Sequence, residues 1–320
     1  MNQQFPSPTL QAQPTTGTST HLKGMAMVLT GAVLWGLSGT AAQVLFQHKG
    51  ISPLWLVNVR MGISGILLVL LVIGRQGITD ALQIFKHAKD LVRLLLFSLF
   101  GLIGVQYSYF AAIHYGNAAM ATLLQNLGPA ILTIYLALGQ RKLPEKRRLL
   151  AVVIAFLGTF MLVTGGKFNG LQISMTALIW GLVSAVTLAF YTVFPEKMIH
   201  KYGTATVVGW AMVIGGLILS VVDQPWRTHV HFTVSSLSLI AFVVIFGTFV
   251  AFYLYLASIK LISPAETSLL ASAEPLTATI VSIAFLHIHL TMTSMIGGFL
   301  IVLMVILLAS KPKSVRKERG

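Results

Sequence analysis

Glu274 has the most chemistry to offer, because it stands in SPAETSLLASAEPLTATIVSIAF, residues 263–285, a stretch long enough to span a membrane. A helix starting near Ala265 would carry it about 14 Å along the axis, near the middle of a ~30 Å hydrocarbon core. An acid at that depth costs about 2.5 to 3.5 kcal/mol against lipid, so it belongs in a bundle interior or a wet cavity. A carboxyl group that exchanges a proton there is a candidate for proton coupling, and one paired with Arg60 or a hydroxyl is a structural alternative. Pro275 follows it, lacks an N–H, and frees the Ala271 carbonyl at nearly the same depth. Ser272 is a donor beside that carbonyl and a candidate substrate ligand. Glu266, nearer the helix start, reads as an interfacial or gate residue.

Other polar and aromatic residues stand at similar depths. Pro129 breaks an earlier apolar run and frees the Gln125 carbonyl, with Asn126 between them. Buried amides need partners, either from neighbouring helices or from a ligand. Arg60 lies seven residues into its run, where it can snorkel to the near surface or anchor a substrate carboxylate. Trp35 and Trp180 sit well inside their spans, although tryptophan favours membrane interfaces, and an indole at mid-depth needs a partner for its N–H. With Gln106, Tyr107, Tyr191 and Tyr253 they would make an aromatic, moderately polar lining suited to an amphiphilic solute or an organic cation. The pairs His229/His231 and His287/His289 have no acid or thiol beside them, so no metal site is expected. No nucleophile motif, Walker loop or dinucleotide fingerprint occurs, which argues against an enzyme, a cofactor or ATP as energy source.

The elements that would position these residues are set by composition. Of 320 residues, 56% are hydrophobic and only 9% charged, with mean hydropathy +0.83. Soluble domains carry about 25% charged residues, so this is an all-α polytopic membrane protein. Cysteine is absent, which removes disulfides and thiol chemistry. The apolar runs predict ten spans: helix 1 at 24–46, helix 2 at 53–74, helix 3 at 91–113, helix 4 at 118–138, helix 5 at 149–165, helix 6 at 173–194, helix 7 at 204–222, helix 8 at 236–259, helix 9 at 263–285 and helix 10 at 292–309. Residues 94–140 carry no formal charge over 47 positions, about 70 Å as one helix, so the chain must fold back, with His114-Tyr115-Gly116-Asn117 as the turn. Residues 1–22 read as a disordered tail, 311–320 as a basic tail, and 78–89 as a loop or surface-lying helix. The first run has no cleavage pattern after it and reads as a retained helix.

The net charge of +14 reports orientation rather than a nucleic-acid partner. With both termini cytoplasmic, Lys49, Lys167 and Arg227 lie outside, Arg60 lies within helix 2, and the other 18 of 22 cations lie inside. The chain also repeats itself. Trp35-Gly36-Leu37 recurs as Trp180-Gly181-Leu182 at a shift of 145, and at 146 Phe100-Gly101 recurs as Phe246-Gly247, Tyr107 as Tyr253, Tyr109 as Tyr255 and Pro129 as Pro275. Five helices per unit is an odd number, so the units, 23–166 and 167–310, must cross the bilayer in opposite senses. Two proline-broken helices at matching positions of inverted repeats mark a transporter's substrate site.

This pattern resembles the drug/metabolite transporter superfamily, and within it the EamA family of bacterial inner-membrane exporters. The likeness rests on the two five-helix units, the WG pairs, Arg60, the prolines of helices 4 and 9, LWGxSG at 34–39 and AEP at 273–275. It implies ten helices with 1–4 and 6–9 around a central cavity, 5 and 10 peripheral, and alternating-access transport of small metabolites, often amino acids. The expected function is secondary export of such a solute by exchange or proton coupling, from a monomer or homodimer in the inner membrane. Two rivals are a polyspecific drug-cation/proton antiporter and a membrane-embedded lipid-modifying enzyme, for which the acids are too few.

Overall fold

The computed structural model describes residues 18–140, 144–167, 171–227, 232–259 and 261–309. His229, His231, the basic C-terminal tail and most of the N-terminal tail lie outside the described residues. Every regular element among the described residues is helical. Among the described residues, nine helices are long and apolar enough to cross a membrane. The remaining predicted span, helix 3, runs unbroken through Ala88–Leu96, a π-helical stretch Phe97–Ile103, and Gly104–Tyr115.

Helix 1 is Thr18–His48, helix 2 Pro53–Gln76, helix 5 Lys146–Thr164, helix 6 Met175–Val193, helix 7 Thr204–Asp223 and helix 10 Met292–Ala309. Helix 1 starts six residues before the predicted edge, because the polar run Thr18–Lys23 continues the helix beyond its apolar part. Residues 78–89, expected as a loop or a surface-lying helix, form a connection with a short turn of helix, Ile78–Ala81, and a 3-10 turn, Gln83–Lys86. They dock through buried Ala81 and Ile84.

Helices 4 and 9 are each broken. Helix 4 comprises Ala118–Gln125 and Gly128–Gln140, and helix 9 comprises Pro264–Ala271 and Ala273–Leu286. The first residues of the breaks, Asn126 (φ −65°, ψ −1°) and Ser272 (φ −63°, ψ −7°), share one backbone conformation. Each break precedes its proline, whose ring and missing N–H forbid the bond that would have carried the helix through. Helix 8 repeats the other irregularity. It runs Val234–Ala241, a π stretch Phe242–Val250, and Ala251–Ser258, with the π segment at the register of the one in helix 3.

The contacts between repeat mates establish the inversion. Helices 2 and 7 lie side by side, and Trp210 near the start of helix 7 donates its indole N–H to Ala81 O just after helix 2 ends, 2.7 Å away. At their other ends Trp55 Nε1 donates to Pro225 O (3.2 Å) and Ser220 Oγ to Asn58 Oδ1 (3.1 Å). Helices 5 and 10 pair likewise: Arg147, opening helix 5, donates to Leu307 O at the end of helix 10, and Ser294, opening helix 10, donates to Leu162 O at the end of helix 5. Mates that pack antiparallel belong to repeats of opposite sense.

Without a hydrophobic drive inside lipid, such pairs rely on small residues that let backbones close up. A Cβ on Gly65 would stand 2.7 Å from Val213 N, and one on Gly216 of helix 7 would stand 2.8 Å from Gly62 N. A Cβ on Gly158 would stand 2.9 Å from Gly297 O, and the reverse pairing is 2.6 Å. The cross-contacts swap as the symmetry requires: helix 1 packs on helices 8 and 9, helix 6 on helices 3 and 4.

Candidate functional site

The broken segment of helix 9 is pressed into helix 1 at the first WG pair. A Cβ on Gly36 would lie 2.8 Å from the Glu274 carbonyl oxygen and 2.9 Å from Ala278 N, so only glycine admits this approach. The second pair repeats it, since a Cβ on Gly181 would meet Leu124 in helix 4. Trp35, one residue before Gly36, packs edge-on against Phe252 (ring centroids 5.3 Å) and at a tilt against Tyr255 (5.2 Å) of helix 8. Trp180 packs edge-on against Tyr107 of helix 3 (5.3 Å).

Glu274 is half-buried and lies within Coulombic range of Arg60 on helix 2, Tyr109 on helix 3 and Tyr255 on helix 8. Its neighbours therefore come from four inner helices, counting Gly36. Among the described residues, no side chain forms a salt bridge or hydrogen bond with its carboxylate.

Arg60 is 6% exposed and does not snorkel. Its guanidinium lies 4.6 Å over the Phe110 ring, and its Nε donates to Thr248 Oγ1 at 3.0 Å. Thr248 Oγ1 donates in turn to Val243 O, five residues back, across the π turn of helix 8. The wide turn thus aims the hydroxyl that holds Arg60. Ser64 Oγ fills the next carbonyl of that turn, Val244 O, at 2.8 Å. Tyr109 is fixed similarly: Thr122 gives its proton to Ala118 O (2.7 Å), so the Tyr109 hydroxyl donates to Thr122 Oγ1 (2.8 Å).

Gln106 and Ser272 are among several buried polar side chains of the described residues that lack partners. Both amide atoms of Gln106 (6% exposed) and the Ser272 hydroxyl (5%) make no hydrogen bond. Gln106 stands one turn before Tyr109 and Phe110 on helix 3, and Ser272 stands in the break of helix 9.

The remaining expected residues are distributed elsewhere. Asn126 turns back on its own helix and donates to Thr122 O (2.8 Å), while Gln125 donates to Ser184 Oγ of helix 6 (2.7 Å). Tyr191 stacks on Phe97 (5.4 Å). Tyr253 accepts from Arg75 Nη2 (3.0 Å) at the end of helix 2, apart from the Glu274 group. Glu266 caps helix 9 with Ser263 and meets His21 Nε2 at 3.1 Å. A cavity of about 340 Å³ lies at the far ends of helices 1 and 3, between Phe46, Ile51, Tyr107, His114 and Tyr115, rather than around Glu274.

Sequence reasoning did not single out Thr248, Phe110, Thr122, Tyr109 or Tyr255 as site residues. The last two carried a signal, because they are repeat mates of each other.

The model of the EamA-like transporter family matches residues 22–164 and again 175–310. An uncharacterized inner membrane transporter, YicL, of Salmonella typhimurium is 40% identical over 291 residues, 90% of this chain and 95% of its own length. An uncharacterized transporter of Archaeoglobus fulgidus is 26% identical over 80% of this chain and 92% of its own. YyaM of Bacillus subtilis, also an uncharacterized transporter, is 24% identical over 89% and 93%. One solved crystal structure superposes with a TM-score of 0.60 at 17% identity, over 91% of this chain and 96% of its own, a likeness of fold.

Proposed function

We propose that this protein, which belongs to the EamA-like transporter family, is a secondary active exporter of a small metabolite such as an amino acid or a related amphiphilic solute. It is a multi-pass inner-membrane transporter; the solute, the direction and the coupling are our reading. The observation that carries it is the approach of Glu274 and Arg60, one from each repeat, within electrostatic range but without an ion pair. A solute bearing an ammonium and a carboxylate would satisfy both at once. The unpartnered Gln106 amide, one turn before Tyr109, and the unpartnered Ser272 hydroxyl, two residues before Glu274, offer further donors and an acceptor. A lipophilic cation would gain from Glu274 but be opposed by Arg60, which weighs against the drug-cation reading.

Transport would follow from the paired breaks. Each repeat carries one, and inverted repeats can exchange conformations, which turns the central group from one face to the other. Proton binding at Glu274 competes with the solute ammonium, and that competition couples the two fluxes. The lysine and arginine bias supports both termini being cytoplasmic.

Purified protein in liposomes tests the reading. Solute flux should persist without ATP, and Glu274→Gln should abolish proton-driven uphill accumulation while leaving the protein folded. Uphill transport by that variant at the wild-type level would remove the coupling assignment. Flux of unrelated lipophilic cations and of no zwitterion would replace the substrate class.

A further inference from the structure

We infer that Asp90, Lys201 and Tyr202 form a latch that shuts one mouth of the bundle by tying the two repeats together, and that the structure is the state closed at that mouth. Asp90 lies in the first turn of helix 3, before the apolar run that begins at Leu94, and is 8% exposed. Its Oδ2 accepts from Lys201 Nζ at 2.8 Å and from the Tyr202 hydroxyl at 2.7 Å, and Arg93 Nη1 stands 3.5 Å from its Oδ1. Lys201 and Tyr202 end the short helix Glu196–Tyr202, the tip of the hairpin between helices 6 and 7. A hairpin tip of the second repeat therefore delivers a cation and a hydroxyl to a buried acid of the first.

Three other ties between the repeats gather at this mouth: His21 to Glu266, Arg75 to Tyr253, and Trp210 to Ala81. At the opposite mouth lies the 340 Å³ cavity, where hydrogen bonds also join the repeats (Trp55 to Pro225, Ser220 to Asn58 and Ser174 to Tyr115), but no ion pair is found there among the described residues. The asymmetry is electrostatic. A buried carboxylate left without its partners is strongly unfavourable, whereas a pair with one half-exposed member is individually weak. Such a group holds a hairpin closed yet lets it go once water reaches the acid, which suits a reversible gate. The latch serves the alternating access proposed above, but closure can be read without any solute, so the two ideas can fail separately.

The chain has no cysteine, so a single reporter can be placed without clearing others. Ser272→Cys is close in size and loses no hydrogen bond, because that hydroxyl has no partner. Its labelling by a membrane-impermeant maleimide would be timed in vesicles of each sidedness. With the latch intact, labelling from the Asp90 side should be slow. Asp90→Asn and Lys201→Met should each speed it severalfold from that side alone, and Lys201→Arg should keep it slow. Equal rates from the Asp90 side in all variants would overturn the inference. So would equal behaviour of Lys201→Arg and Lys201→Met, or fast labelling from both sides at once.

Discussion

The Glu274 carbonyl oxygen occupies a place that a Cβ on Gly36 would reach to 2.8 Å, so the break in helix 9 and the glycine in helix 1 are parts of one contact. Backbone cannot yield as a flexible side chain can, and forcing an extra carbon into a packed site costs about 1 to 3 kcal/mol. Gly36→Ala should therefore lower the thermal unfolding temperature and weaken solute binding together. Gly74→Ala, whose added carbon meets nothing within 4 Å, should be neutral or stabilising by up to about 1 kcal/mol. Calorimetry or thermal-shift measurement of both variants in detergent checks the contrast.

Gln106 separates stability from function. An unsatisfied buried amide costs about 1 to 3 kcal/mol, so Gln106→Leu, similar in shape, should raise the unfolding temperature. If the amide receives the solute, the same change should reduce binding affinity. Higher stability with unchanged affinity would mean that the solute does not use this residue.

Thr248→Val removes the acceptor that Arg60 Nε uses and leaves a buried guanidinium with one contact fewer. The expected loss is about 1 to 3 kcal/mol, as for other buried groups stripped of a partner, and Thr248→Ser should restore most of it. Transport of a carboxylate-bearing solute should fall in the valine variant more than in the serine one, because the guanidinium loses its aim.

The latch also fixes a pH dependence. Hydrogen bonds from Lys201 and then Tyr202 hold the Asp90 carboxyl below its ordinary range, and the bond to Asp90 raises Lys201. A lowered acid contributes stability that is complete above its unfolded value and is lost as pH falls through the folded value. A raised lysine contributes below its unfolded value and loses that contribution as pH climbs through the folded one. The ratio of labelling rates between the Asp90→Asn and latch-intact proteins, in which the thiolate's own pH dependence cancels, should therefore stay severalfold from roughly pH 5 to 9 and fall towards one only in stronger acid or alkali. A fall of that ratio to one near neutrality would point to a different group at the closed mouth.

Helix number, the duplication and both breaks are readable in the sequence because each leaves a composition or register signal. Charge-free runs mark the spans, the WG pairs and matching prolines mark the repeats, and an odd helix count gives the inversion. Partner choice is not readable in the same way. Arg60 reads as a snorkelling residue from its distance to the span edge, but its acceptor is Thr248, 188 positions away and turned inward by a π stretch that leaves no period in the sequence. Tyr253 and Tyr255 look alike in sequence, yet two residues of helical rotation send one to Arg75 at the mouth and the other to Trp35 inside. Asp90 reads as one more charge in a basic loop until the hairpin tip is folded over it.

The wide turns at Phe97–Ile103 and Phe242–Val250 set a constraint on length rather than on residue type. An ordinary helix advances about 100° per residue, so losing one position from either turn would rotate everything after it by that angle. In helix 3 that would swing Gln106, Tyr109 and Phe110 away from Arg60 and Glu274, and in helix 8 it would do the same to Tyr255. Variants that delete a single residue there should be far more damaging than conservative exchanges at the same positions, and the two halves of the chain can drift in composition much more freely than in spacing.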